Sequence, residues 1–162
     1  MTSPQEADRA MLRHALATLA YRGAKALRDV PAAVPVYRAD PGSRTPLEIL
    51  AHMCDLMEWA FSIAKGEPTW HDSTPIAWEK EATRFFETLR RFDDCLSSAE
   101  LLHAPPQRLF QGPVADALTH VGQIAMLRRM AGSPMRGENY FVADVALGRV
   151  GPDQAAPRKE FA

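Results

Sequence analysis

Residues 45–66, TPLEILAHMCDLMEWAFSIAKG, contain in one stretch the local features of a complete α-helix. Thr45 is a suitable N-cap residue, Pro46 suits the first helical position, and Glu48 can complete a capping box by accepting a hydrogen bond from the cap amide. Apolar residues then recur every three or four positions, and the final glycine is a residue that commonly ends helices. The stretch therefore predicts a helix that ends near Lys65.

The same start pattern, a capping residue before a proline, occurs at three other places, namely Ser3-Pro4, Thr74-Pro75 and Gly112-Pro113. Four starts predict four helices. Behind the third start, apolar residues from Trp78 to Leu96 follow a heptad-like spacing, with charged residues off this stripe. Because no segment shows sustained alternation of apolar and polar residues, we predict no strand and expect an all-α four-helix bundle.

The composition indicates one domain with an irregular C-terminal tail. The chain has 162 residues, of which 46% are hydrophobic, which is enough for a single core. Cys54 and Cys95 fall inside predicted helices without a CxxC spacing, so we expect reduced core thiols. We assign residues 1–132 to the bundle and residues 133–162, rich in glycine and proline, to the tail. Apolar residues in the tail predict packing against the bundle or a dimer partner.

Charge and hydropathy exclude several classes of function. Lys and Arg total 19 against 20 for Asp and Glu, and the formal net charge of -1 argues against a nucleic-acid or anionic-membrane partner. No stretch approaches about 20 uninterrupted apolar residues, so we predict no membrane span. The first six residues lack both the basic start and the apolar core of a secretory signal. We therefore expect a cytoplasmic protein.

Polar residues interrupt the apolar faces of two predicted helices. On the fourth helix, Asp116 and His120 are one turn apart on the face expected to point toward the core. Arg128 and Arg129 are expected to face water. On the second helix, His52 lies among apolar residues, and an imidazole buried without a partner costs a few kcal/mol. We therefore expect each histidine to find a partner inside the bundle.

A shared divalent cation is one solution for these three residues. His52, Asp116 and His120 offer two imidazoles and one carboxylate, which suit Zn²⁺, Ni²⁺, Fe²⁺ or Mn²⁺. Three protein ligands leave coordination positions for water or substrate, as in catalytic metal sites. The alternative is a plain bundle in which Asp116 hydrogen-bonds a core histidine without any metal, and a carboxylate early in a helix is favoured anyway. Spacing alone leaves both interpretations open.

Some other polar and aromatic residues carry less information. Glu138, in the tail, could reach the metal or its substrate, although a surface position is the simpler interpretation. Trp59 and Trp70 could line the mouth of a pocket, whereas Trp78 begins the core stripe of the third helix. The chain has no Gly-rich phosphate loop and no nucleophile elbow.

Two predicted helices, TPLEILAHMCDLMEWA (45–60) and ADALTHVGQIAMLRRMAG (115–132), resemble the second and last helices of the DinB/YfiT-like family of metalloenzymes. The resemblance covers about residues 5–132. Its most specific part, HVGQI at 120–124, is similar to the family's H-x-G-Q-I. The resemblance implies a four-helix bundle in which a histidine of the second helix and an H-x-x-x-H pair of the last helix hold a divalent metal ion.

By this resemblance, His52 and His120 match two of the three ligand positions. Asp116 stands where the family usually has the first histidine of H-x-x-x-H. A carboxylate can replace an imidazole as a ligand, which would give a site with two histidines and one carboxylate. Alternatively, the replacement weakens the site until it is empty at ordinary metal concentrations. We predict a metal site formed by His52, Asp116 and His120.

The resemblance also implies a class of reaction. Relatives include metal-dependent thiol transferases and a thiol-dependent isomerase, in which the metal activates a low-molecular-weight thiol. We therefore expect a metal-dependent transferase or hydrolase that acts on a small molecule. The alternative is a non-catalytic, stress-associated or regulatory bundle with a vestigial or structural site, acting through an interface as a homodimer. An accessible pocket leading to the three residues would favour the enzyme.

Overall fold

The computed structural model describes residues 3–162, and its main helices pack as the sequence predicts. The helical segments are α1 (Pro4–Leu27), α2 (Pro46–Ala64), α3 (Trp78–Ser97), α4 (Pro106–Leu109) and α5 (Ala115–Met130). Complete capping boxes begin both α1 and α2, with the cap side chain and the third-position glutamate each accepting a hydrogen bond from the backbone. The prediction of an all-α protein with four packed helices is confirmed, and the described residues form no sheet.

Two predicted helix starts are wrong. The third helix begins after Ala77, three residues beyond the predicted cap at Thr74. The fourth helical rod begins earlier than Gly112-Pro113, because α4 continues through a π-helical turn (Phe110–Val114) directly into α5. Pro113 therefore lies inside a helix. The wider π-turn has room for a proline ring, which would otherwise clash with the carbonyl four residues earlier.

The hydrophobic core lies where α2 packs against α3 and α5 and α1 completes the bundle. A tight contact between α1 and α3 occurs at Gly23, where an added Cβ atom would lie 3.0 Å from a ring carbon of Phe85. The glycine therefore allows the two helices to approach closely. The largest fully buried apolar side chains are Phe85, Phe92, Leu16, Leu19, Leu50, Met53, Met57, Leu89, Leu96, Leu109 and Ile124.

The two cysteines are buried thiols, as predicted. Both are free, and the Cys54 Sγ donates a 3.3 Å hydrogen bond to the carbonyl oxygen of Glu81. Burial raises the pKa of both thiols, so they remain protonated near neutral pH. Within the described residues, no helix has the combination of length and apolar character needed to cross a membrane.

The C-terminal stretch is non-helical apart from a short 3-10 turn (Tyr140–Val142). The expectation of a surface position for Glu138 is wrong, because its side chain is buried against α1. The Glu138 carboxylate accepts hydrogen bonds from the Tyr21 hydroxyl and from the Lys25 ammonium, the latter at 2.8 Å. Lys25 also pairs with Glu160 at 2.8 Å. These contacts explain the burial of Glu138, since a buried carboxylate requires compensating donors.

Arg128 is buried, which contradicts the expectation that it faces water. Its guanidinium donates hydrogen bonds to the carbonyl oxygens of Ala26 at 2.8 Å, Arg28 at 3.0 Å and Ser133 at 3.2 Å. The last carbonyls of a helix lack partners within that helix. Arg128 therefore supplies donors at the C-terminal end of α1 and joins this end to α5.

Replacing Arg128 by methionine should destabilise the fold. The Arg128→Met variant keeps the apolar stem but removes the donors to buried carbonyl groups, so the free energy of unfolding should fall by about 2 kcal/mol. Urea denaturation followed by circular dichroism measures this change. The neighbouring Arg129 is exposed and provides a matched control. Equal stability of the Arg128→Met and Arg129→Met variants would contradict the assigned role.

Candidate metal centre

Helices α2 and α5 bring together the three residues that the sequence analysis selected. His52 Nε2 lies 3.8 Å from Asp116 Oδ2, and His120 Nε2 lies 3.5 Å from Asp116 Oδ1. One ligand atom from each residue can be chosen so that all lie within 4.8 Å of one another. The two imidazole rings are nearly perpendicular, with their centroids 4.9 Å apart. We refer to His52, Asp116 and His120 as the triad.

The triad fits the chemistry of a divalent metal. Ligands bound to tetrahedral Zn²⁺ at about 2.0–2.1 Å are separated by about 3.3 Å, which is close to the shortest distances within the triad. The side chains of His52 and His120 are 19% and 12% exposed, whereas that of Asp116 is 48% exposed. The group is therefore largely enclosed on the histidine side and open at the carboxylate.

Gln123 orients the His120 ring. The distance between His120 Nδ1 and Gln123 Oε1 is 2.7 Å, a short hydrogen bond. Because an amide oxygen can only accept, Nδ1 carries the proton, and the lone pair of Nε2 faces the triad. Metal-binding histidines commonly have such a partner on the other ring nitrogen. Gln123 lies within HVGQI, where no local pattern indicated this role.

The surroundings of His52 favour its neutral form. Burial lowers the pKa of His52, and the positive charge of Arg44 and the neighbouring His120 lower it further, while the negative charges of Asp116 and Asp55 act in the opposite direction. A lowered pKa keeps the imidazole unprotonated near pH 7. Only the unprotonated ring nitrogen can bind a metal ion. His52 is therefore prepared as a ligand at neutral pH.

Trp70 covers one side of the triad. Its indole packs edge-on against the His52 ring and against Trp59, with a centroid distance of 5.8 Å in each case. Trp78 lies instead in the core, where its indole nitrogen donates a 3.1 Å hydrogen bond to the carbonyl oxygen of Leu27. Trp70 thus limits the access of solvent to His52, and it belongs to the connection between α2 and α3.

A polar network fastens this connection to the bundle. The helical wheel predicts Asp55 on a solvated strip of α2, but the structure buries it. Its carboxylate accepts hydrogen bonds from the Ser73 amide at 2.9 Å, the Ser73 hydroxyl at 2.6 Å and the Arg84 guanidinium at 3.2 Å. Arg84 also binds Glu81 at 2.9 Å. The network therefore restrains the segment that carries Trp70.

An open groove of about 430 Å³ borders the triad at His120. Gln123 lines it as well, whereas His52 and Asp116 are not among its lining residues. The groove continues between the segment before α2 and the exposed side of α5, with the remaining lining residues being Ser43, Arg44, Ile49, Met126 and Leu127. Its volume lies in the range of small-molecule sites, about 300–1,000 Å³.

No family model, no curated protein and no solved structure matches this chain. The comparisons therefore identify no family. The resemblance to the DinB/YfiT-like family stays a prediction that depends on the quoted residues. The triad, Gln123 and the adjoining groove define the site by their own geometry.

Removing the Asp55 carboxylate should weaken the anchorage of the α2–α3 connection. In Asp55→Ala, the amide and hydroxyl of Ser73 and one side of the Arg84 guanidinium lose their acceptor. The free energy of unfolding should fall by about 2 kcal/mol, measured by urea denaturation. Asp94, which is exposed on α3, provides the control substitution. Asp55→Ala and Asp94→Ala variants of equal stability would show that the network contributes nothing.

The tautomer of His120 should depend on Gln123. In the metal-free wild-type protein, ¹⁵N chemical shifts should show a protonated Nδ1 and an unprotonated Nε2, because Gln123 accepts the Nδ1 proton. Gln123→Leu removes the acceptor at similar size, and the preference for this tautomer should be lost. The exposed His14 is the internal reference and should not change. A His120 spectrum unaffected by Gln123→Leu would contradict the assigned hydrogen bond.

Proposed function

We propose that the protein binds one divalent metal ion through His52, Asp116 and His120 and acts as a metal-dependent enzyme on a small molecule. The observation that carries this proposal is the convergence of three ligand atoms from α2 and α5 within 4.8 Å of one another. In the alternative without metal, Asp116 would hydrogen-bond directly to one of the two histidines. The distances of 3.5 and 3.8 Å between the carboxylate and the two rings are too long for such bonds.

The ligand set limits the identity of the metal. Two imidazoles and one carboxylate are suited to Zn²⁺, Ni²⁺, Fe²⁺ or Mn²⁺ and are poorly suited to Ca²⁺, which prefers six to eight oxygen ligands. A divalent metal ion in such a site lowers the pKa of a water or thiol ligand and thereby supplies a nucleophile at neutral pH. Asp116 contributes the negative charge, while His52 and His120 contribute neutral nitrogen donors.

The accessibility of the triad supports an enzyme over a non-catalytic bundle. A purely structural site gains nothing from an entrance and is usually closed by its protein ligands. Here the groove reaches His120, and the Asp116 side chain is 48% exposed. Trp70 shields the His52 side, so water and substrate would approach past the exposed Asp116 carboxylate.

The chain's own thiols do not provide the nucleophile. Cys54 and Cys95 are its two cysteines, both are buried, and burial raises the pKa of each. A thiol-dependent reaction would therefore use an external low-molecular-weight thiol, and a hydrolytic reaction would use water. The resemblance suggests the first of these reaction classes, and a metal-bound water would supply the second, so we propose thiol transfer or hydrolysis as the activity.

Metal content should depend on each member of the triad. Untagged wild-type protein should contain one divalent metal ion per chain by elemental analysis, or take one up in a titration with Zn²⁺, Ni²⁺ or Mn²⁺. The substitutions His52→Ala, Asp116→Ala and His120→Ala should each lower the affinity at least about 100-fold, since loss of even an outer partner costs 10–100-fold. His14→Ala, at an exposed histidine of α1, should bind metal like the wild type.

Two results would overturn this proposal. A wild-type protein that takes up none of the three metals would favour the non-catalytic bundle. Triad variants that retain wild-type metal content would place the metal elsewhere. Circular dichroism of each variant separates a lost ligand from a lost fold, because the helical signal should persist when only the metal site is removed.

A further inference from the structure

The groove beside the triad has an asymmetric lining that indicates the chemistry of its ligand. Ile49 and Leu127 are buried apolar residues at its base, and Met126 adds an exposed apolar side. Arg44 and Gln123 supply the polar groups. A ligand that fills the groove would thus contact apolar surface along its body and hydrogen-bond donors at its edge.

Arg44 is a cation without an acidic partner in the described part of the chain. Its side chain takes part in none of the ion pairs there, although it is close enough to His52 for its charge to lower the pKa of that ring. By contrast, Arg38 on the same connection pairs with Glu48 at 2.9 Å. An unpaired guanidinium in the lining of a groove is suited to a carboxylate, which it can bind through two parallel hydrogen bonds.

Gln123 provides a second donor at the same place. Its side-chain oxygen is occupied by His120 Nδ1, whereas its NH₂ group makes no hydrogen bond within residues 3–162. This NH₂ group can donate to an oxygen of the ligand. One guanidinium and one amide match a monoanion better than a phosphate dianion, for which several cationic or backbone donors are usual.

We propose that the groove binds a small organic carboxylate with an apolar body, held by Arg44 through its carboxylate and by Ile49 and Leu127 through its body. The ligand then lies beside His120, next to the triad. Such a carboxylate would be the substrate class of the proposed metalloenzyme, and this identification rests on the proposed function. Binding of the carboxylate by Arg44 does not require the metal.

The test compares two probes of the same shape and different charge, 3-phenylpropanoate and 3-phenylpropan-1-ol. Ligand-observed NMR titrations of the whole protein give both affinities, first after removal of metal and then after loading with Zn²⁺. The carboxylate should bind about tenfold more tightly than the alcohol in both states, a difference of about 1.4 kcal/mol, because a hydrogen bond to a charged group is stronger than one to a neutral group. Metal content is measured on the same samples.

The variants assign the preference to Arg44. Arg44→Met keeps the apolar stem and should reduce the affinity for the carboxylate to that for the alcohol, without changing metal content. Arg44→Lys should retain part of the preference for the carboxylate, since it keeps the positive charge but loses the planar guanidinium that can form two parallel hydrogen bonds. Arg90→Met, at an exposed arginine of α3, is the matched control and should behave like the wild type.

The outcomes separate this inference from the proposed function. Equal binding of the two probes by the wild type, or a preference for the carboxylate that survives Arg44→Met, would overturn the inference. A preference seen only with Zn²⁺ and retained in Arg44→Met would mean that the metal holds the anion, which also overturns it. Failure to take up Zn²⁺ would count against the metalloenzyme alone, because the metal-free titration still decides the role of Arg44.

Discussion

The position of α2 between α3 and α5 is the constraint on which the rest of the structure depends. A bundle helix usually needs one apolar stripe, but α2 is apolar on two sides because it packs against two neighbours. Each polar residue on these sides must find a partner, since burial removes its water. Asp55 finds Ser73 and Arg84 on the α3 side. His52 lies on the α5 side, where Asp116 and His120 are opposite.

Local signals in the sequence were sufficient to predict much of the fold and the members of the triad. Capping boxes depend on residues three positions apart, and the facing of Asp116 and His120 depends on the helical period alone. The proximity of His52 to Asp116 and His120 could be predicted because few polar residues lie on the apolar faces of these helices. The polar residues on the apolar faces of α2 and α5 were therefore sufficient to predict the members of the triad.

Apart from the two helix starts, the predictions that failed concern charged residues whose partners are distant in sequence. Arg128 was assigned to water because its wheel position lies off the face that carries Asp116 and His120, but the end of α1 supplies three carbonyl acceptors that no local pattern reveals. Glu138 is buried for a similar reason, since its donors Tyr21 and Lys25 are more than a hundred residues away. A charged residue can be buried wherever the fold provides enough partners, and its own sequence neighbourhood does not record them.

The π-helical turn between α4 and α5 sets the rotational phase of the helix that carries two of the triad residues. One α-helical residue advances the chain by about 100° around the axis, and a π-turn takes up roughly one residue more than an α-turn. If this turn were wound as an ordinary α-helix, α5 would rotate by about this angle relative to α4. His120 and Asp116 would then leave the surface that faces α2. The geometry of the candidate metal centre is thus determined three to four residues before Asp116, at the level of Gly112 and Pro113.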